Sequence, residues 1–205
     1  MYLNDKYADC TAAAAAHVIQ NWRAHLGEKR APSEAEVLAF YEHFTKPGPE
    51  NGCAMLTVLK YWRTTGFSGE RIAAFSTLKY QERTQIKHAV HLFGACYIGL
   101  QLPKFIMGAR DGTEVAWEIP PAGRLGHGEL EPDGGHCVPI VAYDAHYAHV
   151  VTWGRLRPMS WSFYEKYADE AYAVLNPRFI EHGKRPAGFD LEQLERDVAE
   201  LSKAA

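Results

Sequence analysis

The segment that most narrows the fold is "DCTAAAAAHVIQNWRAH", residues 9–25, in which five consecutive alanines follow Cys10 and Thr11. Alanine is the strongest helix former, and Ala14, Val18 and Trp22 recur at helical spacing, so a helix of roughly four turns runs from Cys10 to about Leu26. Asp9 stands where an N-cap belongs, with its side chain expected over the first amides. A helix with so much small surface suits a central position, because alanine side chains let a sheet pack closely against it.

The rest of the chain supplies such a sheet only in its second half. "SEAEVLAFYEHF" opens with Ser33 and places Glu36 three residues on, a capping-box arrangement ahead of a second helix. "NGCAMLTVLKYWRTTGFSG" carries Met55, Leu56, Val58, Leu59 and Trp62 at helical spacing and stops at Gly66. After that the period changes. "RIAAFSTL" reads as a strand, "QERTQIKHAVHLF" as a helix ending at Gly94, and "CYIGLQLP" as a buried strand closed by Pro103. "HCVPIVAYD" and "AHVVTWG" flank a turn at "DAHY" and read as a hairpin; a short helix at "SWSFYEKY" and a last strand at "YADEAYAVL" follow. The tail has Leu191, Leu194, Val198 and Leu201 on one face, which predicts an amphipathic surface helix over 190–204. The layout is α+β in a single domain of 205 residues, with a helical half over about 1–66 and a mostly antiparallel sheet half over about 67–180.

Composition removes several classes of function. Twenty-two basic residues against 25 acidic ones leave a net charge of −3, with no field to draw a polyanion, so nucleic acid is not an expected partner. Hydrophobic residues at 47% and aromatic ones at 12% are those of a folding globular chain. The longest apolar stretch, "AVHLFGACYIGLQLP", is interrupted by His91, Gly94, Gly99 and Gln101 and is too short to span a bilayer. Asp5 and Asp9 ahead of the alanine run argue against a signal peptide, and four widely spaced cysteines do not form a disulfide framework. A reducing, cytoplasmic setting is expected.

The chemistry-bearing residues are a cysteine and a histidine. A nucleophilic thiol must be ionised, accessible and next to a base. The first turn of a helix favours a thiolate at Cys10 through its amides and dipole. "GGHCVPIVAYD" offers His136 as the base at the start of a strand, with Gly134 and Gly135 before it giving a substrate backbone room to approach. Cys137 alternates to the opposite face and reads as core, as do Cys53 and Cys96. "HYAH" at 146–149 and "HAVH" at 88–91 lack the companion ligands of a zinc site, and no metal or cofactor is expected. Glycine-rich "GHGELEPDGGH" at 126–136 lacks the features of a phosphate loop and reads as a mobile flap, preceded by an insertion over 104–125 that shapes a cleft or covers a sheet edge.

These residues resemble the papain-like cysteine proteases, which carry a Gln six residues before a Cys that opens a long helix, a "HAV…GY" strand with the general base, and then "NSWG". This chain has Asn4 six residues before Cys10, "DCTAAAAAH", "HCVPIVAYD" and "VTWG" at 151–154, in the same order. It is also similar to a group of bacterial and phage proteins sharing "DC", "GGHxVP" and "VTWG" signatures. The resemblance implies a papain-like fold, its central helix packed on a mostly antiparallel sheet or barrel. It implies Cys10 as nucleophile, His136 as general base, Asn4 as oxyanion-hole donor beside the backbone N–H of Cys10, and Trp153 as a lid over the site. Alignment on Trp153 and Gly154 puts Val151 where the family has its orienting Asn. Thr152 is the alternative orienter, but the two alternate across a strand and only one can face His136. Val151, sharing a face with Trp153, is the one expected inward, which leaves a Cys/His dyad. The expected activity is hydrolysis of an amide or related acyl bond in a protein or peptide substrate through a thioester. The alternatives are a binding or virion-associated structural protein that keeps the fold without turnover, and an acyl transferase of the transglutaminase or cell-wall amidase type.

Overall fold

A computed structural model describes residues 1–45, 52–107, 116–120 and 128–182. The alanine-rich segment forms α1, Cys10–His25, buried almost all round: Thr11, the five alanines, His17, Val18, Ile19, Trp22 and Arg23 are all inaccessible. Asp9 does not cap it. Its backbone precedes the helix, but the side chain makes no cap hydrogen bond and turns instead to Asn4, whose Nδ2 donates to Asp9 Oδ1 at 2.8 Å.

Helix α2, Glu34–Glu42, begins with the expected capping box: Glu36 N–H donates to Ser33 Oγ at 3.2 Å and Ser33 N–H to Glu36 Oε2 at 2.8 Å. Helix α3, Met55–Thr64, buries Met55, Val58, Leu59 and Trp62, and Gly66 follows it at a left-handed φ of 94°. Helix α4, Arg83–Phe93, ends on Gly94, also left-handed. A short α5, Lys104–Met107, is followed late in the chain by α6, Trp161–Tyr167, and α7, Pro177–His182.

Six strands form one sheet: β1 Ala74–Thr77, β2 Cys96–Pro103, β3 Leu130–Tyr143, β4 Tyr147–Thr152, β5 Arg155–Ser160 and β6 Ala168–Leu175. Their spatial order is β1-β6-β2-β3-β4-β5 and every neighbouring pair is antiparallel. The sheet is open, with β1 and β5 at its edges, so the barrel expectation gives way to a twisted sheet covered on both faces. On one face Tyr97, Cys137, Tyr172 and Val174 pack with α1, α2 and α3. On the other, Ile98, Leu100, Val138, Ile140, Ala148 and Val150 pack with α4 and α6. Alternation along each strand therefore feeds two cores, which is why β2 reads as an unbroken apolar run.

Two features depart from the sequence reading. Residues 130–136 of the glycine-rich segment are the first residues of β3 and not a flap, and β5 was unforeseen because Arg155, Arg157 and Pro158 disguise it. The helix expected over 190–204 and most of the 104–125 insertion lie outside the described residues.

The C-terminal end of α1 is tied down by polar contacts. Asn21 Nδ2 donates to Gly94 O at 2.8 Å and Trp22 Nε1 to Phe93 O at 2.7 Å. Buried Arg23 pairs with buried Glu70 at 3.1 Å, and Glu70 also accepts from Asn176 at 3.0 Å and Arg178 at 2.8 Å. Among the described residues no helix is long and apolar enough to cross a membrane.

Candidate active site

Cys10 sits at the first turn of α1 over the middle of the sheet. Tyr97 on β2 fixes this turn from below, its hydroxyl donating to Thr11 O at 2.7 Å. Cys10 and His136 line one cleft of about 370 Å³, together with Thr11, Cys53, Met55, Gly99, Gly135, Asp169 and Glu170. Behind Cys10 a smaller space is lined by Asn4, Ala13, Ala14, His17, Val151 and Thr152, among others.

His136 is held from two sides. Its Nε2 lies 2.7 Å from Thr152 Oγ1, and its ring stacks on Trp153 with centroids 4.9 Å apart and planes 23° from parallel. Trp117 closes the aromatic shell at 5.7 Å from Trp153. Thr152, not Val151, is thus the residue that meets the imidazole. The reason lies in the register: β4 pairs with β3 through Ile140↔Val150, so Val150 and Thr152 share the face that carries Ile140, Val138 and His136. Val151 points to the α1 side, where it lines the space behind Cys10.

Trp153 does not share Val151's face either, because it has left the strand. It and Gly154 form the two-residue turn between β4 and β5, with φ of 46° and 72°, the signs that a primed hairpin turn requires. A left-handed tryptophan costs roughly 1–2 kcal/mol. Here that conformation swings the indole back over His136.

The thiol is less acidic than its helix position suggests. Burial raises the Cys10 pKa to about 11, against the opposing pull of the Cys137 backbone amide, and the neighbouring Cys53 and Asp9 push it further up. Asp9 itself is fully buried. Desolvation raises its pKa to about 6 despite the Asn4 hydrogen bond, and its Oδ2 has no hydrogen-bond partner among the described residues. A standing thiolate, expected from the helix dipole, is therefore overruled by burial and by an acidic neighbour.

The remaining candidates sort by geometry. Asn4 lies beside Cys10 as expected, but its amide donates to Asp9 at 2.8 Å and reaches Tyr7 O at 3.5 Å. A side chain at Gly135 would enter open space, whereas one at Gly134 would strike Leu102 O at 2.5 Å, so Gly134 serves strand packing and only Gly135 borders the cleft. Cys96 and Cys137 are buried as expected. Cys53 packs against the core beneath α1 but is only half-buried: it also lines the cleft, and its sulfur lies 2.8 Å from Thr11 Oγ1. Asp169 and Glu170 are cleft residues that sequence reasoning missed, because the apolar run after them marked the segment only as a strand. Among the described residues no three His, Cys, Asp or Glu side chains converge as a metal site, and His149 of the "HYAH" pair is engaged with Asp144 at 3.0 Å. The chain matches no protein-family model and no curated protein sequence.

Proposed function

We propose that this chain is a papain-like cysteine hydrolase that opens an amide or related acyl bond in a protein or peptide through a thioester on Cys10. The observation that carries the reading is the holding of His136: a hydroxyl on one ring nitrogen and an indole against the ring, beside a cleft that also contains the thiol. The long buried helix laid on an antiparallel sheet supports the same kinship, and four cysteines that are all thiols suit a reducing, cytoplasmic setting.

In this reading Nε2–H of His136 donates to Thr152 Oγ1, which leaves the Nδ1 lone pair as the base. With the thiol pKa near 11, deprotonation accompanies attack. The sulfur–carbon bond forms as the proton moves from Cys10 to Nδ1, and the imidazolium then protonates the departing amine. The backbone N–H of Cys10 and the second amide hydrogen of Asn4, which reaches only to 3.5 Å from Tyr7 O at rest, would receive the oxyanion. Water deacylates the thioester by the same base.

A small activated ester tests this without a known substrate. With p-nitrophenyl acetate, we expect a stoichiometric burst of nitrophenolate and acetylation of Cys10 by peptide mass mapping, lost in Cys10→Ala and slowed at least tenfold in His136→Ala. Acetylation of Cys10 at the same rate without His136 overturns the reading. The high pKa of Cys10 favours one competing interpretation, a binding protein that keeps the fold without turnover, and that outcome is its signature.

A further inference from the structure

The cleft in front of Cys10 is electrostatically one-sided. Asp169 and Glu170 both line it, and among the described residues lining it there is no lysine or arginine. Strand pairing explains how two consecutive residues of one strand come to the same place. Gly99 on β2 pairs with Glu170, but Leu100 pairs with Ala168, so Asp169 is the extra residue of a β-bulge. Bulges beside functional sites re-aim side chains that regular alternation would send to the other face.

Gly99 makes the space. A Cβ there would lie 2.6 Å from Asp169 Oδ1 and 2.7 Å from Glu170 Cγ. The two acidic side chains therefore lie over a glycine, on the row that continues across β2 to Cys137, whose backbone amide faces the Cys10 sulfur. Glu170 is oriented by Tyr172, whose hydroxyl donates to its Oε2 at 2.8 Å. Two carboxylates alone would be a solvated surface. What gives these a ligand is that they share one cavity with Cys10 and with Gly135, His136 and Cys137 of β3.

We propose that Asp169 and Glu170 set the specificity of the cleft, selecting acyl donors that carry a positively charged group, such as a lysine or arginine side chain or a free amine, next to the bond attacked by Cys10. This rests on the cysteine-hydrolase reading for its chemistry, but the charge selection it describes is a property of access to the sulfur and is measured separately.

Charged methanethiosulfonates make that measurement on the intact protein. Cys10 attacks the sulfenyl sulfur of the reagent, a mixed disulfide forms and methanesulfinate leaves, so no further oxidant or reductant is needed. Rates at Cys10 are read by peptide mass mapping in a Cys53→Ser background for the 2-aminoethyl (cationic), methyl (neutral) and 2-sulfonatoethyl (anionic) reagents, each divided by its rate with 2-mercaptoethanol. We expect the cationic-to-anionic ratio at Cys10 to exceed that of the small thiol at least tenfold at low salt, to shrink in 0.5 M salt, and to fall to within about twofold of the small thiol in Asp169→Asn/Glu170→Gln. A ratio equal to that of the small thiol, or one that survives the double variant, overturns the proposal. So does failure of even the neutral reagent to reach Cys10, since the cleft would then admit no ligand. A charge preference without a His136-dependent acetylation burst would keep the selection for cations at the Cys10 sulfur and remove the hydrolase.

Discussion

Asp9 is a buried carboxyl group with one oxygen held by Asn4 and the other left without a partner among the described residues. Such a group is expensive to ionise, and its charge, once present, opposes a thiolate on the next residue. Replacing Asp9 by Asn removes that opposition while keeping an oxygen for the Asn4 amide. We expect the pH profile of Cys10 alkylation by iodoacetamide to rise toward about 11 in the native protein, and its midpoint to move down in Asp9→Asn by a fraction of a unit to about one unit. A midpoint unmoved by the substitution would mean that burial alone sets the thiol. Thr152 acts on His136. Thr152→Val keeps its shape and removes the hydroxyl that meets His136 Nε2, so acylation should slow by roughly tenfold, about 1.4 kcal/mol of transition-state stabilisation, with Thr152→Ser close to native. If His136 is the base of the proposed hydrolase, Thr152 positions it, and the pH profile of acylation should shift along with the rate, which a merely structural loss would not produce.

At the scale of elements, what was legible in the sequence is what local chemistry decides. The alanine run and the Ser33–Glu36 pair specify α1 and the start of α2 through propensity and capping, which involve only neighbours in the chain. The orientation of Val151 and Thr152 was not legible, because a strand's pattern tells which residues alternate and not which face is which; that is fixed by the pairing of Val150 with Ile140 on another strand. Trp153 was misplaced for a related reason: alternation was carried one residue past the end of β4 into a left-handed turn. Glu70 shows the same limit. Nothing near it in sequence announces that Arg23, Asn176 and Arg178 will converge on its carboxylate from α1 and the segment after β6. This cluster fastens the start of the helix bundle to the end of the sheet, and it is buried at its centre. Glu70→Gln leaves the buried Arg23 guanidinium with only the more distant Glu28, at 3.9 Å, as counter-ion, and we expect a loss of about 3 kcal/mol in urea unfolding, with the acylation burst of the remaining folded fraction unchanged per molecule. A loss below 1 kcal/mol would show that the pair contributes packing and little else.

At the scale of the whole molecule, the site imposes opposing pH dependences on the fold. Desolvation lowers the pKa of His17, on α1 beside the space behind Cys10, to about 4, while that of Asp9, buried just ahead of α1, is raised to about 6. His17 binds fewer protons folded than unfolded between about pH 4 and its ordinary value near 6.5, so its contribution to stability is intact above 6.5 and is lost as pH falls through 4. Asp9 binds more protons folded than unfolded between its ordinary value near 3.8 and about 6, so its contribution is intact below 3.8 and is lost as pH rises through 6. Over pH 4–6 the two slopes have opposite sign and similar width, each spanning on the order of 2–3 kcal/mol. Removing either group should therefore expose the other. Relative to the native protein, the urea-unfolding free energy of Asp9→Asn should climb from pH 4 to 6, and that of His17→Gln should fall over the same range. The two difference curves cross if burial sets both groups. Difference curves that run parallel to the pH axis would instead mean that water reaches both buried groups and relaxes them, and the Cys10 thiol beside Asp9 would then be more acidic than its enclosure implies.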